Sequence, residues 1–132
     1  MKGRWVGLAM GALVTVAALL CFPSCGFKRQ LVAITINPPG ATITGAGIQV
    51  DFQAIGTYIH PPDSKDITNS VVWKSAAPQV VDIVSNTGVA TSGDVCGSNI
   101  TITATGHSDP HDSSSGVVVG TATVNVKLPP TC

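Results

Sequence analysis

The stretch Ile48-Gln49-Val50-Asp51-Phe52-Gln53-Ala54 decides the fold class, because apolar and polar residues alternate along it without a break. Successive side chains of a strand point to opposite faces, so this spacing predicts a half-buried strand with Ile48, Val50, Phe52 and Ala54 inward. The same period recurs on both sides. Upstream, Val32, Ile34 and Ile36 alternate with Ala33 and Thr35 until Pro38-Pro39-Gly40, where proline removes the ladder donor and ends the strand. Downstream come Val71, Trp73 and Ser75, then Val81 and Ile83 flanking Asp82, then the turn Asn86-Thr87-Gly88 leading into Val89 to Thr91. Ile100, Ile102 and Ala104 alternate with threonines, and Ala122, Val124 and Val126 alternate with Thr121, Thr123 and Asn125. About seven such segments within about 100 residues, parted by Gly, Pro, Asp and Ser clusters, predict an all-β, antiparallel two-sheet β-sandwich.

Composition agrees with this reading. The 132 residues include 17 Val, 14 Thr and 10 Ile, whereas only Leu31 and Leu128 remain of six Leu beyond residue 24, too few to stock an amphipathic helical bundle. All seven acids are Asp, a turn former. Charged residues make up 11% and balance to a net charge of zero, which argues against a nucleic-acid partner. The length suits one domain.

The N-terminus has a different character. Lys2 and Arg4 precede an apolar run from Val6 to Leu20, followed by Phe22-Pro23-Ser24-Cys25-Gly26. This is the pattern of an export signal. The Ser24-Cys25 pair resembles the bacterial lipobox, in which a small residue precedes the lipid-modified cysteine, although Phe22 and Pro23 depart from it. Residues 1–24 are therefore expected to be a lipoprotein signal peptide and Cys25 the lipidation site, with an uncleaved N-terminal membrane span as the alternative. Either outcome places the remainder outside the cytoplasm. Gly26, rather than Asp, after the lipidated cysteine points to the outer membrane. Residues 25–30 form a short tether in which Lys28 and Arg29 are expected to be solvated, with contact to anionic lipid headgroups as the alternative, and residues 129–132 form a tail ending in Cys132. With Cys21 and Cys25 in the export region, Cys96 and Cys132 are left as a pair in an oxidising compartment, and a disulfide between them is expected.

The series Leu31 to Pro38, Phe52-Gln53-Ala54, Asp66-Ile67-Thr68, Val72-Trp73-Lys74-Ser75, Val80 to Val84, Thr87-Gly88-Val89, Ile102 to Gly106 and Ala122 to Val126 resembles the bacterial immunoglobulin-like domain of group 2, the Big2 family. The resemblance covers residues 31–128. It implies an immunoglobulin-like sandwich of the kind found in envelope and surface proteins, including adhesins, as a spacer or binding module. This chain departs from the pattern at His60-Pro61-Pro62-Asp63, at Cys96 and at residues 107–116.

Trp73 and Phe52 are expected in the core between the sheets. Tyr58, at a strand end, is open to either a core or a ligand-stacking role. The candidate binding loop is residues 107–116, with His107, Asp109, His111 and Asp112 as its chemistry-bearing side chains and Ser113 to Gly116 as a mobile second half. Its imidazoles and carboxylates are the donor types that Zn, Ni or Cu accept, so His107 and His111 are weak metal candidates, but a solvated polar connection is the simpler account. No cofactor is implied. The chain has no Gly-x-Ser-x-Gly elbow, no His-Glu-x-x-His and no phosphate-binding glycine loop, and without Glu it lacks the usual carboxylate pair, so a non-enzymatic role is expected. The expected function is a lipid-anchored interaction or adhesion module of the cell envelope, binding an envelope protein or polysaccharide. The alternative is a purely structural envelope lipoprotein.

Overall fold

The computed structural model describes Gly26 and residues 28–132; the export signal expected over residues 1–24, and the lipidation site expected at Cys25, lie outside the described residues. Within them the fold is all-β, with ten strands and no helix. In chain order these are β1 (Gln30–Asn37), β2 (Gly40–Thr44), β3 (Gln49–Asp51), β4 (Gln53–Ile59), β5 (Asp63–Asp66), β6 (Val72–Ser75), β7 (Val81–Ile83), β8 (Val89–Ser92), β9 (Gly97–His107) and β10 (Val117–Lys127). They form sheets β1-β4-β5, β2-β10-β9-β6 and β3-β8-β7, around one core, an arrangement consistent with a β-sandwich.

The 48–54 stretch departs from a single ladder. β3 pairs with β8 while β4 pairs with β1, and Phe52 stands between them. The Phe52 N–H donates to the Gly88 carbonyl at 2.9 Å, so the ladder to the β7–β8 hairpin ends at that residue. The inward face nevertheless continues through Phe52, Ala54, Gly56 and Tyr58, all buried. Thus the first and third sheets share one bent strand. Ile48, expected inward, is 47% exposed just before β3, and Val32, read on the same face as Ile34 and Ile36, is 44% exposed because a register shift between Leu31 and Ala33 turns Leu31 inward in its place.

Two strands lack the sequence signal used above. β2 follows the Pro38-Pro39 stop, where the chain leaves β1 and pairs in parallel with β10, the one parallel ladder among the described strands. β5, Asp63-Ser64-Lys65-Asp66, is exposed throughout and owes its conformation to pairing with β4. Its charges suit an edge strand, since they disfavour further strand addition. The two faces of the core meet closely where β1 lies over β10: a Cβ on Gly120 would fall 2.6 Å from the Ile34 carbonyl oxygen.

Trp73 is 2% and Phe52 1% exposed, with ring centroids 6.4 Å apart. The Trp73 Nε1–H donates to the Thr68 carbonyl at 2.9 Å, satisfying the indole inside the core. Thr68 is itself fixed: its N–H and hydroxyl both donate to Asp66 Oδ1, and its Oγ1 accepts the Ala54 N–H. Gly88 closes this region with φ of 74°, and a Cβ there would lie 2.5 Å from the Phe52 oxygen and 3.0 Å from the Trp73 ring. Cys96, just before β9, is bonded to Cys132 with a Cα separation of 6.5 Å, tying the tail to the far end of β9.

Candidate functional site

Residues 107–116 join β9 to β10 at the end of the molecule where the chain enters β1. The Leu31 N–H donates to the Ser108 carbonyl at 2.8 Å, joining this loop to the first strand, and Ser108 N–H donates to Gly116 O at 2.7 Å, closing the loop's base. Asp109 and Asp112 then organise its tip. Asp109 Oδ1 accepts the His111 N–H at 2.9 Å, and Asp112 Oδ1 accepts both the Ser114 N–H at 2.9 Å and its hydroxyl at 2.5 Å. Asp109 N–H donates to Ser115 Oγ, which in turn donates to Asp109 O. Of the serines in the second half, Ser114 and Ser115 are bound into this network.

The hydroxyl and amide of Ser114 hold the Asp112 carboxyl below the usual carboxylate range, with Lys28 and His107 adding a smaller electrostatic pull in the same direction. The loop's carboxylates therefore spend acceptor capacity on its own backbone and serines. Among the described residues no three His, Cys or Asp side chains form a group that could hold a metal ion. His107 and His111 share a loop, but the structure does not unite them with Asp109 and Asp112 as a ligand set.

The other wall of this end comes from residues that periodicity passes over. Arg29 lies over the Tyr58 ring, its guanidinium carbon 4.3 Å from the centroid, and pairs with Asp63 at 2.5 Å. Tyr58 is thereby a core residue, 8% exposed, with its face covered by a cation. Lys28 Nζ stands 3.8 Å from Asp109 Oδ2. The solvated spacer expected at Lys28 and Arg29 is thus, in the case of Arg29, docked onto the domain. Exposed ion pairs contribute about 0–1 kcal/mol and a cation–π contact about 0.5–1 kcal/mol, so these contacts orient the incoming chain more than they stabilise the fold.

Together the two walls border an open cleft of about 480 Å³ that includes Lys28, Arg29, Tyr58, Lys65, Asp109 and His111. Lys65 carried no periodic signal; its one clue was a cation between Asp63 and Asp66 in a short polar stretch. A second cleft, of about 630 Å³, lies beside Phe52, between Asp51, Asp66 and Thr87. Asp66 is committed there, with Thr68 first and Gln53 next holding its carboxyl below the ordinary range. Neither cleft pairs a nucleophilic hydroxyl with a hydrogen-bonded imidazole. The cleft beside Phe52 offers mainly polar surface, whereas the one at Arg29 and Tyr58 combines charged groups with a larger apolar lining. No protein-family model and no curated protein matches this chain.

Proposed function

We propose that this chain is a lipid-anchored, immunoglobulin-like interaction module of the bacterial cell envelope, acting by binding rather than catalysis. The observation that carries the reading is the strand order. β1 pairs with β4 while its continuation β2 pairs with β10, and β3 pairs with β8 while its continuation β4 pairs with β1 and β5; such passage of a strand from one sheet to another supports an immunoglobulin-like sandwich. The ten strands reduce to about seven when β2 is counted as the continuation of β1, β3 and β4 as one, and the short edge β5 is set aside. A disulfide and an export segment ending in Ser24-Cys25 fit an oxidising envelope compartment. The membrane is then a partner through the lipid on Cys25, and Gly26 in the next position favours the outer membrane.

Fold alone does not identify a ligand, so the binding role rests on exposed loops and clefts. The test is capture from envelope extracts by residues 25–132. A binding module retains one envelope protein or polysaccharide saturably. If replacing residues 107–116 by Gly-Ser abolishes capture, the loop is the contact; unchanged capture places the contact elsewhere. The second reading, a structural lipoprotein without a dedicated ligand, is favoured by one observation: the loop's polar groups already satisfy one another. Absence of any saturable capture would select it.

A further inference from the structure

We propose that the end of the domain formed by Lys28, Arg29, β5 and the β9–β10 loop rests on the phospholipid headgroups of the membrane that holds the anchor, so that residues 107–116 face the membrane and the opposite end faces outward. The inference rests on the lipidation of Cys25 proposed above. Its first support is the length of chain outside the domain. Three residue steps separate Cys25 from Lys28, a reach of at most about 11 Å. A lipid at Cys25 sits at the headgroup level, and Lys28 is already held 3.8 Å from Asp109 of the loop.

The docked tether restricts the freedom that would let the domain turn over. Arg29 is fixed on Tyr58 and Asp63, and Leu31 is hydrogen-bonded to Ser108, so the chain leaves this end at a set point. The eleven residues of β10 extend about 35 Å to the opposite end. There lie Gly45 to Ile48, Gly93 to Val95 and the tail bonded through Cys132, with Ile48 and Val95 each 47% exposed.

Charge indicates the kind of surface that fits. Lys28, Arg29 and Lys65 are interspersed with Asp63, Asp66, Asp109 and Asp112, three cations with four carboxylates, and His107 and His111 lie among them. The Lys28 side chain is 87% exposed and open to a phosphate beyond its 3.8 Å contact with Asp109, while the Asp63 carboxylate, 51% exposed, keeps lone pairs for an ammonium that its Arg29 and Ser64 contacts do not use. Such a mixed surface matches a zwitterionic headgroup layer. It is not the cluster of basic residues that anionic lipids select.

The experiment uses the full lipidated chain, purified from the envelope and reconstituted in phosphatidylcholine vesicles containing a small fraction of lipid with a photoreactive headgroup. Cross-linked peptides are mapped by mass spectrometry, and the mass of the N-terminal peptide is read from the same sample. Cross-links are expected on residues 59–66 and 107–116 and absent from 45–48 and 93–96. Arg29→Ala, which frees the tether, is expected to lower that preference severalfold. Cross-links concentrated at 45–48 and 93–96, or spread equally over both ends, with Cys25 lipidated, overturn the orientation alone. An unmodified Cys25 overturns the anchor, and the orientation with it.

Discussion

Gly88 combines two demands on one residue, a left-handed backbone and a missing side chain. Its φ of 74° disfavours any residue with a Cβ, and the space a methyl would enter is occupied by the Phe52 carbonyl and the Trp73 ring. Gly88→Ala is therefore expected to cost about 2–4 kcal/mol, the sum of a backbone term and overpacking, read as a lower urea midpoint with unchanged slope. Asp66 works through hydrogen bonds. Its folded carboxyl lies below the ordinary range because Thr68 and Gln53 donate to it, so its contribution is present above the unfolded value near pH 4 and is lost as pH falls through the lower folded value. The melting temperature should accordingly hold level from pH 7 to 5 and fall below about pH 4, with a shallower fall in Asp66→Asn. Of these residues, Gly88 was readable from the Asn86-Thr87-Gly88 turn and Trp73 from its register. Asp66 was visible only within the Asp66-Ile67-Thr68 element, because its role depends on which backbone turns back over the indole.

Strands with an apolar face were legible because burial imposes a period of two on them. β6 to β10 lie on the segments so marked, and Trp73, Ile102, Val124 and Val126 are buried as that period requires. What the period could not reveal was where a strand changes partner. The break at Phe52 leaves the side-chain alternation intact while its hydrogen bonds pass to another sheet, and β5 has no inward face to leave a signal. Loop 107–116 was legible as polar and turn-rich, but its internal order arises from Asx-type pairing of Asp109 and Asp112 that composition alone does not specify. At this scale the disulfide gives a clear prediction. Cys96 and Cys132 close a loop of 36 residues, and Cys96→Ser should cost about 3–4 kcal/mol on the chain-entropy model. A non-reduced digest of wild-type protein should yield one linked peptide containing both cysteines. Two free thiols would remove the tail from the account of stability.

The described residues form a small all-β domain whose N-terminal entry, β4–β5 hairpin and β9–β10 loop gather at one end, while the disulfide-held tail lies at the other. That polarity gives the proposed export segment its significance: a lipid at Cys25 would place the two ends at different distances from a membrane, and without it the proposed envelope role loses its anchor. The measurement that bears most directly on this is incorporation of labelled palmitate in bacteria expressing wild type, Cys25→Ala and Cys21→Ala. Label in wild type and Cys21→Ala, and none in Cys25→Ala, is the predicted result. Label that persists in Cys25→Ala, or no label in any of the three, would contradict the account.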